Sequence, residues 1–316
     1  MTKHLFKKIA TPYKKALAFF LPRAPVVALD ILTRNSAYWS MTKPGIMMLV
    51  LVTTALGFYF ADQGFHRPWV LLWTLLGSAL SCGGASVLNQ YLERDADALM
   101  QRTKRRPIPM GVISPAEALG FGISLILTGL LVLCWKVNLL TAFLSLLTCF
   151  LYILVYTPMK RLTWLNTTMG AIPGAIPPLG GWAAATNHLD PGGWILFLIL
   201  FTWQHPHFYA IAWIYKEDYK RAGFKMLPVV YPDAKFTFSQ IASFSFFLVA
   251  FSLMPSMMGM SGRIYFWGAL VLGIGILYTV FLFQKSQSIL DARKILGASI
   301  AYLPLLLVLI IVDGLF

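Results

Sequence analysis

Runs of roughly 20 apolar residues recur along this chain, each about as long as an α-helix must be to cross the hydrocarbon core of a bilayer. Backbone in that core finds no water to bond, so such runs are stable as helices whose hydrogen bonds close internally. They predict nine spans, at 45–62, 69–92, 116–135, 138–156, 166–186, 193–213, 237–258, 264–284 and 296–315. With 58% hydrophobic and 12% charged residues, the chain is unlike a soluble domain, whose charged share is about twice as large. The links leave no room for a second domain. Residues 45–316 are therefore expected to form one all-α polytopic membrane bundle behind a basic segment at 1–44.

The charges orient that bundle. With the N-terminus in the cytoplasm, 23 of the 26 Lys and Arg residues fall in inner segments and only Arg67, Lys136 and Arg263 fall outside, the asymmetry of the positive-inside rule. The net charge of +14 is then a membrane-surface signature: it implies the lipid bilayer as partner and argues against nucleic acid. The first 29 residues hold six bases and no acid, as a mitochondrial transit peptide does, but Lys outnumbers Arg and Ser is absent. They read as a basic segment on the inner leaflet. A bacterial inner membrane is expected ahead of a mitochondrial one. Cys82, Cys134 and Cys149 sit in or beside spans at spacings that match no metal site, and no disulfide is expected.

Against this background stands "NQYLERDADALMQRTKRRPIP", residues 89–109. Asn89, Glu93 and Asp97 recur every four residues, so a helix continued through them carries all three on one face, drifting about 40° per step. Oxygen ligands on a rigid face suit a hard cation such as Mg2+, which takes one or two carboxylates and a substrate phosphate. Arg102, Lys104, Arg105 and Arg106 follow, and bases beside such a cation grip a diphosphate. By spacing alone a charged cytoplasmic turn fits as well. A second knot, "IYKEDYKRAGFKMLP" at 214–228, again mixes acids with bases at the inner end of an even-numbered span. Together the knots hold five of the chain's twelve acids, which favours two walls of one site. Lys160 and Arg161 add bases to the same face. Behind them, glycines and prolines between Gly170 and Gly181 predict a helix that lines a cavity. His205 and His207 flank Pro206 inside the sixth span, where ionisable residues are candidates for function. Each is an iron ligand, a base or a partner for another helix. His4, His66 and His188 read as surface residues.

These segments resemble the UbiA superfamily of intramembrane prenyltransferases, whose first motif, N-D-x-x-D-x-x-x-D, stands here as Asn89, Gln90, Glu93 and Asp97. Gln90 and Glu93 depart from the common form. With "YTPMKRLTWLNTTMGAIPGAIPPLGGW", "TWQHPHFYAIAW" and "EDYKRAGFKMLPV" they resemble the haem-farnesylating branch, over residues 35–285. The resemblance implies nine transmembrane helices and transfer of the farnesyl group of farnesyl diphosphate to a vinyl group of haem B with addition of water, giving haem O and diphosphate. Haem B would be a substrate and Mg2+ the cofactor. Asn89, Glu93, Asp97 and Asp218 are the implied catalytic set. Asn89, Glu93 and Asp97 would hold Mg2+, and Glu217 or Asp218 a second ion. Lys43, Arg102, Arg105, Arg106, Lys160, Arg161 and Lys225 would bind the diphosphate, Tyr219, Trp203, His205 and His207 are implied substrate-binding residues, and one histidine would sit on the haem iron. Tyr215 and Tyr219 stand where the superfamily's second motif is acidic. Tyr156, Trp164, Trp203 and Phe208 offer aromatic faces to a carbocation. Haem A synthase is the implied consumer. A prenyltransferase for an acceptor of the 4-hydroxybenzoate type is the first alternative, since it shares the fold and the diphosphate site. A transporter is the second, although the acids lie at helix ends and no inverted repeat is visible.

Overall fold

A computed structural model describes residues 26–314 of the chain, so the first 25 residues of the basic segment, most of the stretch resembling a transit peptide, lie outside the described residues. Among those described there is no strand. Helix α1 (Val26–Met41) leads to α2 (Pro44–Asp62), α3 (Pro68–Leu99), α4 (Pro115–Lys136) and α5 (Leu139–Phe150). A π-helical turn at Leu151–Tyr156 carries α5 on into α6 (Thr157–Leu162). Then come α7 (Asn166–Thr186), α8 (Pro191–Ile214), the short α9 (Lys216–Arg221) and α10 (Leu227–Val230), and finally α11 (Ala234–Met257), α12 (Arg263–Ser286) and α13 (Ile289–Asp313).

Each predicted span falls on one of these helices. Eight are long and apolar enough to cross a membrane, with Leu139–Leu162 as a single rod. The ninth, α7, carries three internal prolines, Pro173, Pro177 and Pro178. It can afford them because it is packed among α2, α5 and α8 and does not stand alone in lipid. Helix starts follow local chemistry. Pro44, Pro68, Pro115 and Pro191 open their helices where no intrahelical N–H is lost. Ser114 and Glu117 close a reciprocal capping box on α4. Apolar side chains such as Leu131 on α4, Phe246 on α11, and Trp267 and Val271 on α12 face outward, as a lipid-exposed surface requires.

Among the predicted boundaries, two move furthest. The span at 69–92 is the apolar part of a helix that runs to Leu99, and the span at 296–315 belongs to a helix that starts at Ile289. Apolarity marks where lipid ends, whereas the backbone ladder continues as long as polar side chains find partners.

Helices α7 and α8 form the centre: α7 packs on α2, α5 and α8, while α8 also packs on α11 and α13. The α2–α7 crossing is closed by glycine. A Cβ at Gly57 would sit 1.9 Å from the Pro178 carbonyl oxygen, and one at Gly181 would sit 1.9 Å from the Thr54 carbonyl oxygen. Both obstacles are backbone, so a side chain there must push the helices apart. Gly181→Ala is expected to destabilise the protein by about 1–3 kcal/mol, read by thermal unfolding in detergent. Gly120→Ala, where a Cβ meets nothing within 4 Å, should cost nothing.

Candidate active site

The last turns of α3 leave the apolar zone carrying Asn89, Glu93 and Asp97 on one face, all buried. Each is met by a cation from a different element. Lys43 Nζ, just before α2, donates to Asn89 Oδ1 at 3.0 Å. Lys160 Nζ, on α6, donates to Glu93 Oε1 at 2.6 Å. Arg106, from the loop after α3, donates to Asp97 Oδ2 at 2.6 Å. The Asn89 amide is oriented from its other end, where Nδ2 donates to Thr157 Oγ1 at 3.0 Å. Gln90 faces a different neighbour and donates to the Met41 carbonyl at 2.7 Å, which closes the chain reversal before Lys43.

Lys43 holds its side chain in place through an uncommon backbone, φ 54° and ψ 66°. That left-handed conformation is a cost a non-glycine residue bears where surrounding structure fixes it. Burial first and the neighbouring Arg106 second push the Lys43 ammonium down to about 7, so an anion arriving beside it would favour its charged form.

The loop after α3 is pinned by buried Met100, Ile108 and Ile113. Its turn meets the second knot where the Arg102 N–H donates to Asp218 Oδ2 at 3.3 Å and the Arg102 guanidinium lies 5.9 Å from the Tyr215 ring centre. Beneath that contact, Ala96 and Met100 pack with Tyr219, Phe224 and Met226 in one apolar cluster. The two acid-base knots are thus two walls of one structure.

Both face a cavity of about 900 Å3, toward the upper end of the roughly 300–1,000 Å3 usual for ligand sites. Lys43, Asn89, Glu93, Asp97, Arg102, Arg105, Arg106, Lys160, Tyr219, Trp203 and His207 all line it. Five expected site residues do not. His205 is fully buried and stacked on Phe244 with ring centres 3.5 Å apart. Positions two apart on a helix point about 200° apart, so His205 and His207 cannot share a wall. Glu217 is exposed because α9 turns Asp218 and Tyr219 inward instead. Asp218 itself is buried but spends its carboxylate on Arg221 and the Arg102 N–H. Arg161 follows Lys160 around α6 and faces out. Lys225 contributes its backbone, its N–H donating to the Lys160 carbonyl at 2.7 Å while its side chain is exposed. Residues missed in the sequence include Thr157, Tyr152 and Ser299. A lone serine in an apolar span was a readable signal for the last of these.

The apolar end of the cavity meets a groove of about 370 Å3 between α2, α8 and α13. Leu49, Thr53, Leu200 and Leu303 border both spaces.

A sequence model described as the UbiA prenyltransferase family matches residues 50–303. A protein of Solibacter usitatus (strain Ellin6076) named protoheme IX farnesyltransferase is 44% identical over 286 residues, covering 87% of this chain and 98% of the relative. A protein of Salinibacter ruber (strain DSM 13855 / M31) with the same name is 44% identical over 276 residues, with 87% and 98% coverage. Among solved structures, a digeranylgeranylglyceryl phosphate synthase superposes with a TM-score of 0.76 at 18% identity, over 89% of this chain and 99% of that one. A UbiA homolog from Archaeoglobus fulgidus bound to DMAPP and Mg2+ gives 0.64 at 19% identity, over 87% and 99%. At those identities the likeness shows the fold. The chain belongs to the UbiA prenyltransferase family and is an intramembrane enzyme of that class. Its near full-length relatives within the family are the protoheme IX farnesyltransferases.

The Glu93–Lys160 pair makes a direct prediction. Both side chains are nearly withdrawn from solvent, at 8% and 13% exposure, so removing one partner strands a buried charge. Lys160→Met should lower stability by about 3 kcal/mol. Adding Glu93→Gln should recover most of that loss, a double-mutant cycle read by chemical unfolding in detergent.

Proposed function

We propose that this enzyme transfers the farnesyl group of farnesyl diphosphate to a vinyl carbon of haem B, with water adding to the neighbouring carbon, to give haem O and diphosphate. The observation that supports it most is the joining of a cation-rich rim to an apolar cavity of about 900 Å3, roomy enough for an isoprenoid and a second amphiphile. The names of the full-length relatives supply the acceptor.

The donor set suits Mg2+. Asn89, Glu93 and Asp97 offer only oxygen, and each carboxylate commits one oxygen, Oε1 or Oδ2, to its ion pair. An ion of this kind takes one or two carboxylates and completes its shell with phosphate and water. Asn89, Glu93 and Asp97 would hold Mg2+, whose charge stabilises the departing diphosphate. Asp218 lies off the cavity lining with its carboxylate taken by Arg221 and the Arg102 N–H, so it would hold a second ion only by exchanging the Arg221 pair for it.

The chain's own residues do the rest. Lys43, Lys160, Arg102, Arg105 and Arg106 surround the rim and neutralise the negative charge that grows on the leaving oxygen as the carbon–oxygen bond of farnesyl diphosphate breaks. Tyr156 lies with its ring centre 4.6 Å from Lys160 Nζ and stacks on Tyr152 at 5.5 Å, so aromatic faces stand beside the place where the allylic carbon turns cationic. The apolar wall keeps water from that carbon until the vinyl group has attacked. The water that then adds to the resulting cation gives up a proton to the released diphosphate, which leaves by the basic rim. The same rim orients the enzyme with its site at the cytoplasmic face of a bacterial inner membrane. The product would pass to a haem A synthase.

Purified protein incubated with haem B, farnesyl diphosphate and Mg2+ should yield a pigment heavier by one farnesyl group plus water, and EDTA should suppress it. Unchanged haem together with prenylated 4-hydroxybenzoate in a parallel reaction would assign the enzyme to the aromatic branch. Asp97→Asn should lower turnover by about 100-fold or more in a protein that still folds. Glu217→Gln should leave turnover within about twofold, as expected of an exposed side chain; a loss as large as that of Asp97→Asn would return Glu217 to the metal site.

A further inference from the structure

His207 is the one of the two histidines that reaches the cavity, and a residue on another helix fixes how it does so. Its ring stacks on Trp203 with centres 4.8 Å apart and planes 21° from parallel. Its Nδ1 lies 2.9 Å from Ser299 Oγ on α13. Ser299 also receives the Trp203 indole N–H, at 2.7 Å, on its backbone carbonyl. One serine therefore holds both members of the stacked pair. Ser299 is itself fully buried.

The serine decides which ring nitrogen carries the proton. Ser299 Oγ lies 2.7 Å from the Leu296 carbonyl oxygen. A carbonyl can only accept, so the hydroxyl's single proton is committed there. Toward His207 the Ser299 oxygen is then an acceptor, and Nδ1 must be the donor. A neutral imidazole with its proton on Nδ1 keeps a lone pair on Nε2. That atom has no partner among the described residues, and the ring lines the cavity. His205 is arranged differently: its Nδ1 donates to the Phe201 carbonyl at 2.8 Å and its Nε2 takes the Thr168 hydroxyl at 3.3 Å, so both nitrogens are spent inside the protein.

We infer that Ser299 is a positioning residue for the acceptor substrate: it locks His207 in the Nδ1–H form and so aims the Nε2 lone pair into the cavity as an axial ligand to the haem iron. This inference rests on haem B being the acceptor. Metal-bound histidines elsewhere have their second nitrogen fixed by a hydrogen-bonded partner in the same way, and loss of such a partner costs about 10–100-fold in affinity.

The test is spectroscopic. Haem B is titrated into the purified wild-type protein and into His207→Ala, Ser299→Ala and Ser299→Thr, with absorption and electron paramagnetic resonance spectra recorded, and farnesyl diphosphate binding is measured on each as a check of the fold. The wild type should show a histidine-ligated haem whose signature vanishes in His207→Ala. Ser299→Ala should alter that signature and weaken haem binding about 10-fold or more while farnesyl diphosphate binding holds, and Ser299→Thr, which keeps the hydroxyl, should restore it. If Ser299→Ala does not fold, Ser299→Cys keeps the volume, replaces the oxygen with a poorer acceptor and should show the same change. A Ser299→Ala or Ser299→Cys protein with the wild-type haem spectrum and affinity overturns the inference, as does a wild-type spectrum indifferent to His207→Ala. A wild type that binds no haem and farnesylates none overturns the acceptor assignment itself.

Discussion

Charge buried at the end of a membrane helix has to be paired, and that requirement organises the inner half of this protein. An unpaired carboxylate or ammonium in a low-dielectric interior costs several kcal/mol. Helix α3 carries Asn89, Glu93 and Asp97 into such an interior, and the chain answers with Lys43, Lys160 and Arg106 from three other elements. Of these partners only Arg106 is close in sequence to the group it meets. The ladder of contacts therefore draws the start of α2, the end of α6 and the loop after α3 to one place. Two carboxylates cannot balance the five bases that line the rim, so the site stays positive after its internal pairs are formed. That surplus is the sign a diphosphate needs, and it is present before any substrate arrives.

The apolar half is shaped by backbone irregularity. Prolines and glycines in α7 let it lie close against α2, with Gly57 and Gly181 facing carbonyl oxygens across the crossing. The π-helical turn at Leu151–Tyr156 changes the winding between α5 and α6. Thr157 Oγ1 donates to the Tyr152 carbonyl at 2.8 Å within that turn, and the same oxygen receives the Asn89 amide. A local departure from α-helix, of the kind often found at functional sites, therefore joins the aromatic wall of Tyr152 and Tyr156 to the polar ladder.

Much of this was readable in the sequence, for different reasons at different positions. The spans followed from apolar length alone. The face shared by Asn89, Glu93 and Asp97 followed from a spacing of four, because helical periodicity survives whatever surrounds it. Which base meets which acid did not follow, since Lys43 and Lys160 are brought to α3 by tertiary packing. Nor did the inward or outward choice within a short helix. Glu217, Asp218 and Tyr219 are consecutive, and only the packing of Tyr219 with Met100 and Phe224 decides that Glu217 faces water. Composition pointed to both His205 and His207, although a separation of two should have ruled out a shared wall. Ser299 lay outside every motif because its role depends on α13 crossing α8, a contact almost a hundred residues apart in the chain.

The depth of the chemistry follows from bond connectivity. The reacting carbon of farnesyl diphosphate is bonded to a phosphate oxygen, so it cannot lie far from the cations that hold the diphosphate. Its tail would then extend into the apolar cavity and toward the groove that shares Leu49, Thr53, Leu200 and Leu303. Seven residues of α8 separate His207 from the helix end at Ile214, a rise of about 10 Å. On the proposed chemistry, an iron held there would lie deeper than the rim. The acceptor vinyl group is a substituent on the porphyrin's periphery. On that reading, a ligand held at the macrocycle's centre and a leaving group held at the membrane surface would bring the two reacting carbons toward the boundary between the charged and apolar halves, where Tyr156 and Lys160 stand together.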